Sequence, residues 1–126
     1  MGNKEVVGIV EKIKVIGENS VECYALFDSG ANSTSVDTRL AAKARLGPIV
    51  KTTRIKNPSI SSETRRPVVK AKIEILGKTF DTLVNIQDRS HMSFPVIVGR
   101  NILKGNFVID PHKNYKLYLR LKGKKG

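Results

Sequence analysis

Ala25-Leu26-Phe27-Asp28-Ser29-Gly30-Ala31 is the stretch on which the reading of this chain turns. Three apolar residues suited to a strand run into a carboxylate, a small hydroxyl residue and a glycine. Glycine allows backbone turns that bring neighbouring N–H groups back onto the carboxylate and hold it. Such a sequence has two meanings. It is an ordinary turn closing a strand, because Asp, Ser and Gly each favour turns, or it seats a carboxylate for acid–base chemistry at a strand end. The tripeptide alone leaves both open.

Upstream, Val21, Cys23 and Ala25 alternate on one face of a strand predicted over 21–27, which assigns Cys23 to core packing rather than to thiol chemistry. Gly17-Glu18-Asn19-Ser20 separates it from an earlier strand, in which Val7, Ile9, Ile13 and Val15 share a face opposite Lys12 and Lys14. Downstream the same period recurs. Val69, Ala71, Ile73 and Ile75 form one apolar face. After a turn at Gly77-Lys78, Phe80, Thr82, Val84 and Ile86 form another. Tyr115, Leu117, Leu119 and Leu121 predict a last strand, with Lys116 and Arg120 outward. Val and Ile together number 25 against nine Leu, a balance that favours pleated surfaces. Helix signals are few. Asp37 caps a short helix through Thr38–Arg45 that Gly47-Pro48 stops, and Asn101–Lys104 fits one further turn. Asn57-Pro58-Ser59-Ile60-Ser61-Ser62 lies between two extended arms, as in a long exposed hairpin. The expected fold is all-β, a small closed barrel with one or two short helices, with a single domain over 1–121 and a basic tail over 122–126.

At 126 residues, with 40% hydrophobic and 27% charged side chains, the chain has ordinary globular composition and one core's worth of material. Its apolar runs are too short to cross a bilayer, no apolar segment follows Met1–Val6, and Val6 stands where a myristoylation signal wants Ser or Thr. A soluble, cytoplasmic protein with no membrane partner is expected. One Cys and two His cannot supply a disulfide or a four-ligand zinc site, and no H-E-x-x-H occurs, so neither cofactor nor metal is expected. The net charge of +12 is unevenly spread: residues 39–72 carry +9, residues 112–126 carry +6, and residues 1–38 carry −3. Such a field attracts nucleic acid, anionic surfaces or acidic peptides without choosing among them. With 6% aromatics and no Trp, little is available for stacking on single strands.

A second segment narrows the first. Pro95-Val96-Ile97-Val98-Gly99-Arg100-Asn101-Ile102-Leu103 is a short buried strand running into glycine and a helical turn. Together and in this order, the two segments resemble the retropepsin-like aspartic peptidases, which carry D-[ST]-G-A after one strand and an apolar-apolar-Gly-Arg-Asn turn near the C-terminus. The closer resemblance is to a prokaryotic branch often labelled ATP-dependent zinc proteases. Its D-R-S-x-M-x-x-P-V-x-x-G-R pattern is similar to Asp88-Arg89-Ser90-His91-Met92-Ser93-Phe94-Pro95-Val96-Ile97-Val98-Gly99-Arg100, and Arg65-Arg66-Pro67-Val68-Val69 also looks like that branch. The resemblance spans roughly residues 20–110 and gives the zinc of the label no ligands.

The resemblance implies an aspartic endopeptidase. In that mechanism two carboxylates at hydrogen-bond distance share one proton and polarise a water that attacks a peptide carbonyl. The chain holds a single Asp-Ser-Gly, so a site of this kind needs a homodimer with one Asp28 from each subunit. Ser29 would bond across the dimer, Gly30 and Ala31 would shape the loop, and Gly99, Arg100 and Asn101 would buttress it. A flap tipped by Asn57, Pro58, Ser59, Ile60 and Ser61 would close over a peptide or protein substrate, with Leu117 and Leu119 on a terminal strand at the seam. Viral members have an acidic residue four places after the catalytic Asp; Asn32 stands there, so Arg100 must find another partner or solvent. Asp88 with Arg89 reads as a turn with a surface pair, and His91 and His112 as solvated loop residues. Three alternatives differ in mechanism: a retropepsin-like module that binds peptides or proteins without cleaving them, a basic β-barrel binding nucleic acid, and the zinc hydrolase of the family label.

Overall fold

The computed structural model describes residues 3–56 and 63–123. The strands β2 (Val10–Ile16) and β3 (Ser20–Phe27) form an antiparallel hairpin with Ile13 and Val15 pointing into the core. The first predicted strand is split in two. β1 (Glu5–Gly8) belongs to a separate sheet, because Ile9 donates its N–H to the Lys113 carbonyl at 3.2 Å and accepts from the Phe27 N–H at 3.0 Å. The chain changes sheets at that residue, so Val7 and Val10 are both buried while Ile9 is only half-buried.

The other strands are β4 (Thr34–Asp37), β5 (Ile49–Lys56), β6 (Glu63–Ile75), β7 (Lys78–Gln87), β8 (Val96–Val98) and β9 (Phe107–Asp110). The main sheet runs β2-β3-β8-β4-β7-β6-β5, and a further β2–β6 pairing closes it into a barrel with β5 outside the ring. The expected alternation fills the interior: Val69, Ala71, Ile73, Ile75 and Val84 are buried. The turn between β6 and β7 lies one residue earlier than predicted. Leu76 and Gly77 occupy it, both at positive φ (50° and 80°), the two-residue geometry that matches the twist of a hairpin.

Helix α1 (Thr38–Ala44) starts where predicted. The Asp37 carboxylate accepts from the Arg39 N–H at 3.1 Å, and Leu40, Ala41 and Ala44 face the core. α2 (Arg100–Leu103) buries Ile102 and Leu103. The terminal strand predicted at Tyr115–Leu121 is instead a helix, α3 (Tyr115–Lys122), so Leu117 and Leu119 lie on no strand. The alternation also satisfies a helical stripe: Leu117, Tyr118 and Leu121 turn inward, and Leu, Lys and Arg are good helix formers. Contacts with the loop before β8 hold it there. Tyr118 stacks on Phe94 with centroids 6.0 Å apart, and the Ser93 hydroxyl donates to the Lys122 carbonyl at 3.1 Å.

Candidate active site

β8 is inserted between β3 and β4, parallel to the first (Phe27↔Val98) and antiparallel to the second (Ser35↔Ile97). This crossing brings together two segments 70 residues apart. Asp28, half-buried, follows β3 directly and donates its N–H to the Val98 carbonyl at 3.0 Å. Its Oδ1 accepts the Gly30 N–H at 2.9 Å, and its carbonyl accepts the Ala31 N–H at 3.1 Å. The carboxylate is thus gripped by its own turn.

The Gly-Arg-Asn turn holds the loop from below. The Arg100 N–H donates to the Ala31 carbonyl at 2.8 Å. Gly99 permits this approach: a Cβ there would stand 2.4 Å from the Ser33 carbonyl oxygen and 2.9 Å from that of Ala31. The Arg100 guanidinium donates to the Ser29 carbonyl at 2.9 Å and to the Asn32 side-chain oxygen. Asn32 is therefore the other partner Arg100 needed. Asn101 accepts from the Thr34 hydroxyl at 2.8 Å and donates to Thr82 Oγ1 and the Leu83 carbonyl at 3.0 and 3.2 Å, tying α2 to β4 and β7.

Thr34 escaped the sequence reading. Its hydroxyl, fully buried, also accepts the Gly99 N–H at 3.2 Å. Nearby, buried Asn85 accepts from Ser35 Oγ at 2.8 Å and donates to Ser33 Oγ and the Thr34 carbonyl. The signal was a Ser33-Thr34-Ser35 run entering a strand, which single-residue polarity assigns to a loop. Two spaces adjoin the site. A hollow of about 510 Å³ opens beside Asp28 and Ser29 over Phe27, Leu103 and Phe107. A cleft of about 360 Å³ runs between the β5 arm, at Lys51 and Thr53, and Ser33, Asn85 and Asn101.

β5 and β6 are the two predicted extended arms, paired from Thr53↔Arg66 to Lys56↔Glu63. The flap-tip residues Asn57, Pro58, Ser59, Ile60 and Ser61 lie outside the described residues. Arg89 corrects one expectation: it is 5% exposed, not a surface residue, with Nε donating to the Phe94 carbonyl at 2.9 Å and its N–H donating to Asp37 Oδ1 at 2.8 Å. Burial and the charge of Arg66 push its guanidinium pKa down, against the pull of Asp37. Asp88 stays exposed in a turn, where bonds from Ser90 hold its carboxyl below the usual range. Among the described residues no three His, Cys, Asp or Glu side chains gather as metal ligands would, and no helix is long and apolar enough to cross a membrane.

Comparison with known proteins places this geometry. The family model described as RimB-like, retropepsin-like aspartic endopeptidase RimB, matches residues 17–117. The chain belongs to the RimB-like family. The RimB-like match takes in the Asp-Ser-Gly turn, both arms and the Gly-Arg-Asn turn. Solved structures agree on the fold. Lpg0085 of Legionella pneumophila, described as of unknown function (DUF785), superposes with a TM-score of 0.61 at 22% identity, covering 86% of this chain and 95% of that one. The EIAV protease, solved with the inhibitor HBY-793, gives 0.59 at 19% identity over 75% and 84%. The simian foamy virus (mac) protease gives 0.54 at 15% over 74% and 91%. No curated protein matches the chain by sequence. The expected retropepsin-like barrel is thus the observed fold.

Proposed function

We propose that this RimB-like chain is an aspartic endopeptidase whose working site is assembled from two copies, each contributing Asp28. The observation that carries the reading is the Asp28 carboxylate itself, fixed by the Gly30 N–H at the end of β3 and left open to an apolar hollow. A carboxylate held this way loses little freedom on reaching a transition state, which is what positioned acid–base groups require. One carboxylate is not enough. With a second at hydrogen-bond distance, mutual repulsion leaves one proton shared between them. The ionised oxygen draws a proton from a bridging water as it attacks the peptide carbonyl, and the protonated partner donates to the developing oxyanion.

Each chain has a single Asp-Ser-Gly turn, so a two-fold axis between two Asp28 residues supplies the pair. Gly30, Ala31, Gly99, Arg100 and Asn101 keep the loop in place, and Ser29 faces the same hollow. The substrate is a peptide or protein segment, entering extended along the cleft between β5 and Ser33.

The test is cleavage of a mixed peptide library by wild type and by Asp28→Asn, scanned over roughly pH 3–8 to cover the range of paired carboxylates, with and without chelator. Cleavage is expected to vanish in a folded Asp28→Asn and to ignore the chelator. Cleavage that survives the substitution would exclude the paired-carboxylate mechanism. A folded wild-type dimer that cleaves nothing would leave a peptide-binding module.

A further inference from the structure

Helix α3 presents a face that the barrel does not use. Leu117, Tyr118 and Leu121 turn inward, while Tyr115, Lys116, Leu119 and Arg120 are exposed side by side along the helix. The RimB-like match ends at residue 117, so most of α3 lies beyond it. No α3 residue borders the hollow beside Asp28 or the cleft along β5. A role for this face is therefore separable from peptide cleavage.

Two features of the face point to one kind of partner. The first is a column of rings. Tyr118 stacks on buried Phe94 with centroids 6.0 Å apart and planes 7° from parallel, and Tyr115 stacks on Tyr118 at 6.0 Å and 26°. The column ends at the surface, where Tyr115 is 45% exposed. Seven aromatic side chains in the whole chain promised little stacking surface. The fold builds one by carrying the loop before β8 beneath α3.

The second feature is charge. Residues 112–126 carry six basic side chains and no acidic one. Lys122 Nζ lies 5.6 Å from the Tyr118 ring centre, beside the column, and Lys116 and Arg120 stand one turn apart next to Tyr115. Among the described residues these three cations have no carboxylate within ion-pair distance, whereas Lys113 is matched by Glu11 at 3.4 Å. Insertion at a membrane surface needs more exposed apolar residues than Tyr115 and Leu119. An acidic protein would make no particular use of an open ring. Cations around an exposed ring match a strand that carries phosphates and flat bases together.

We propose that α3 binds single-stranded nucleic acid, with one base stacked on Tyr115 and neighbouring phosphates held by Lys116, Arg120 and Lys122. A duplex keeps its bases stacked on one another and offers none to Tyr115, so single strands are preferred.

The experiment adds the full chain to labelled oligouridine and oligothymidine of about 20 nucleotides, longer than one such site, and follows fluorescence anisotropy. With three phosphate contacts, affinity should fall about 20-fold between about 50 and 200 mM salt. Tyr115→Ala should weaken binding about fivefold or more, the loss of one stacked base. Lys116→Gln with Arg120→Gln leaves one contact and should cut the salt effect to about threefold. Circular dichroism checks that each variant is folded. Lysine acetylation of wild type reads the site without any variant: the strand should protect Lys116 and Lys122 and leave Lys51 and Lys70 reactive. Asp28→Asn should bind like wild type, so failure of the peptidase reading would leave this inference standing. Absence of binding up to about 100 µM, the weak end of non-specific affinities, would overturn it. So would protection of Lys51 and Lys70 in place of α3, or a duplex bound as tightly as the single strands. Equal competition by poly-aspartate, or binding of phosphatidylserine vesicles in place of the strands, would overturn it in favour of an acidic protein or a membrane.

Discussion

Gly99 shows how much one missing Cβ matters. With the Ser33 carbonyl oxygen 2.4 Å from where a Cβ would stand, Gly99→Ala must push the Gly-Arg-Asn turn away from the Asp28 loop. The opposing atoms are backbone, so relief is costly. A loss of about 3 kcal/mol is expected, read by urea unfolding. Cys23 is the opposite case, a half-buried side chain packed against the core. Burial pushes its thiol pKa up from 9.0 to about 12. The folded chain therefore keeps this proton where the unfolded chain releases it. The stabilisation is complete below pH 9 and is lost as pH rises from 9 to about 12. Cys23→Ala should flatten that alkaline slope in stability curves, and native Cys23 should resist alkylation at pH 8 until the chain is unfolded.

At the scale of elements, Asp37 joins three of them. It ends β4, caps α1 through Oδ2, and through Oδ1 accepts the Arg89 N–H in the loop leading to β8. Asp37→Ala removes a helix cap worth about 1 kcal/mol and leaves a buried N–H unpaired at a further cost of about 1–3 kcal/mol. Asp37→Asn keeps one acceptor oxygen and should fall between wild type and Ala in thermal unfolding. Both Asp37 and the Gly-Arg-Asn turn were legible because each carries a local signal, a cap before a helix and a glycine after a short apolar strand. α3 was not. Its period-2 pattern of large apolar residues fits a strand, and the contacts that decide for helix, Tyr118 on Phe94 and Ser93 on Lys122, come from a loop more than 20 residues away.

For the whole molecule, charge and assembly oppose one another. In the proposed dimer two chains of +12 would together carry +24. Taken as point charges about 30 Å apart in water, a spacing set by domains of this size, they repel by about 20 kcal/mol before screening. Ions remove most of this at 0.15 M, where the Debye length is about 8 Å, but far less at 0.01 M, where it is about 30 Å. Raising salt between those limits should therefore tighten the dimer by more than about tenfold, measurable by sedimentation. Nucleic-acid binding by the same basic surface would show the reverse, weakening as salt rises.

The sequence by itself determined the strands of the barrel other than β4, the α1 cap and the two segments of the candidate site. These depend on alternation, on caps and on glycines, all of which act within a few residues. Only the tertiary structure decided that β8 passes between β3 and β4, that Asn32 satisfies Arg100, that Arg89 is buried, and that Thr34 and Asn85 anchor the loop. Each of those pairings joins residues far apart in the chain. A polar side chain reveals its partner only once the backbone has brought the two within hydrogen-bond reach, since local pattern encodes which face a residue takes but not whom it meets there.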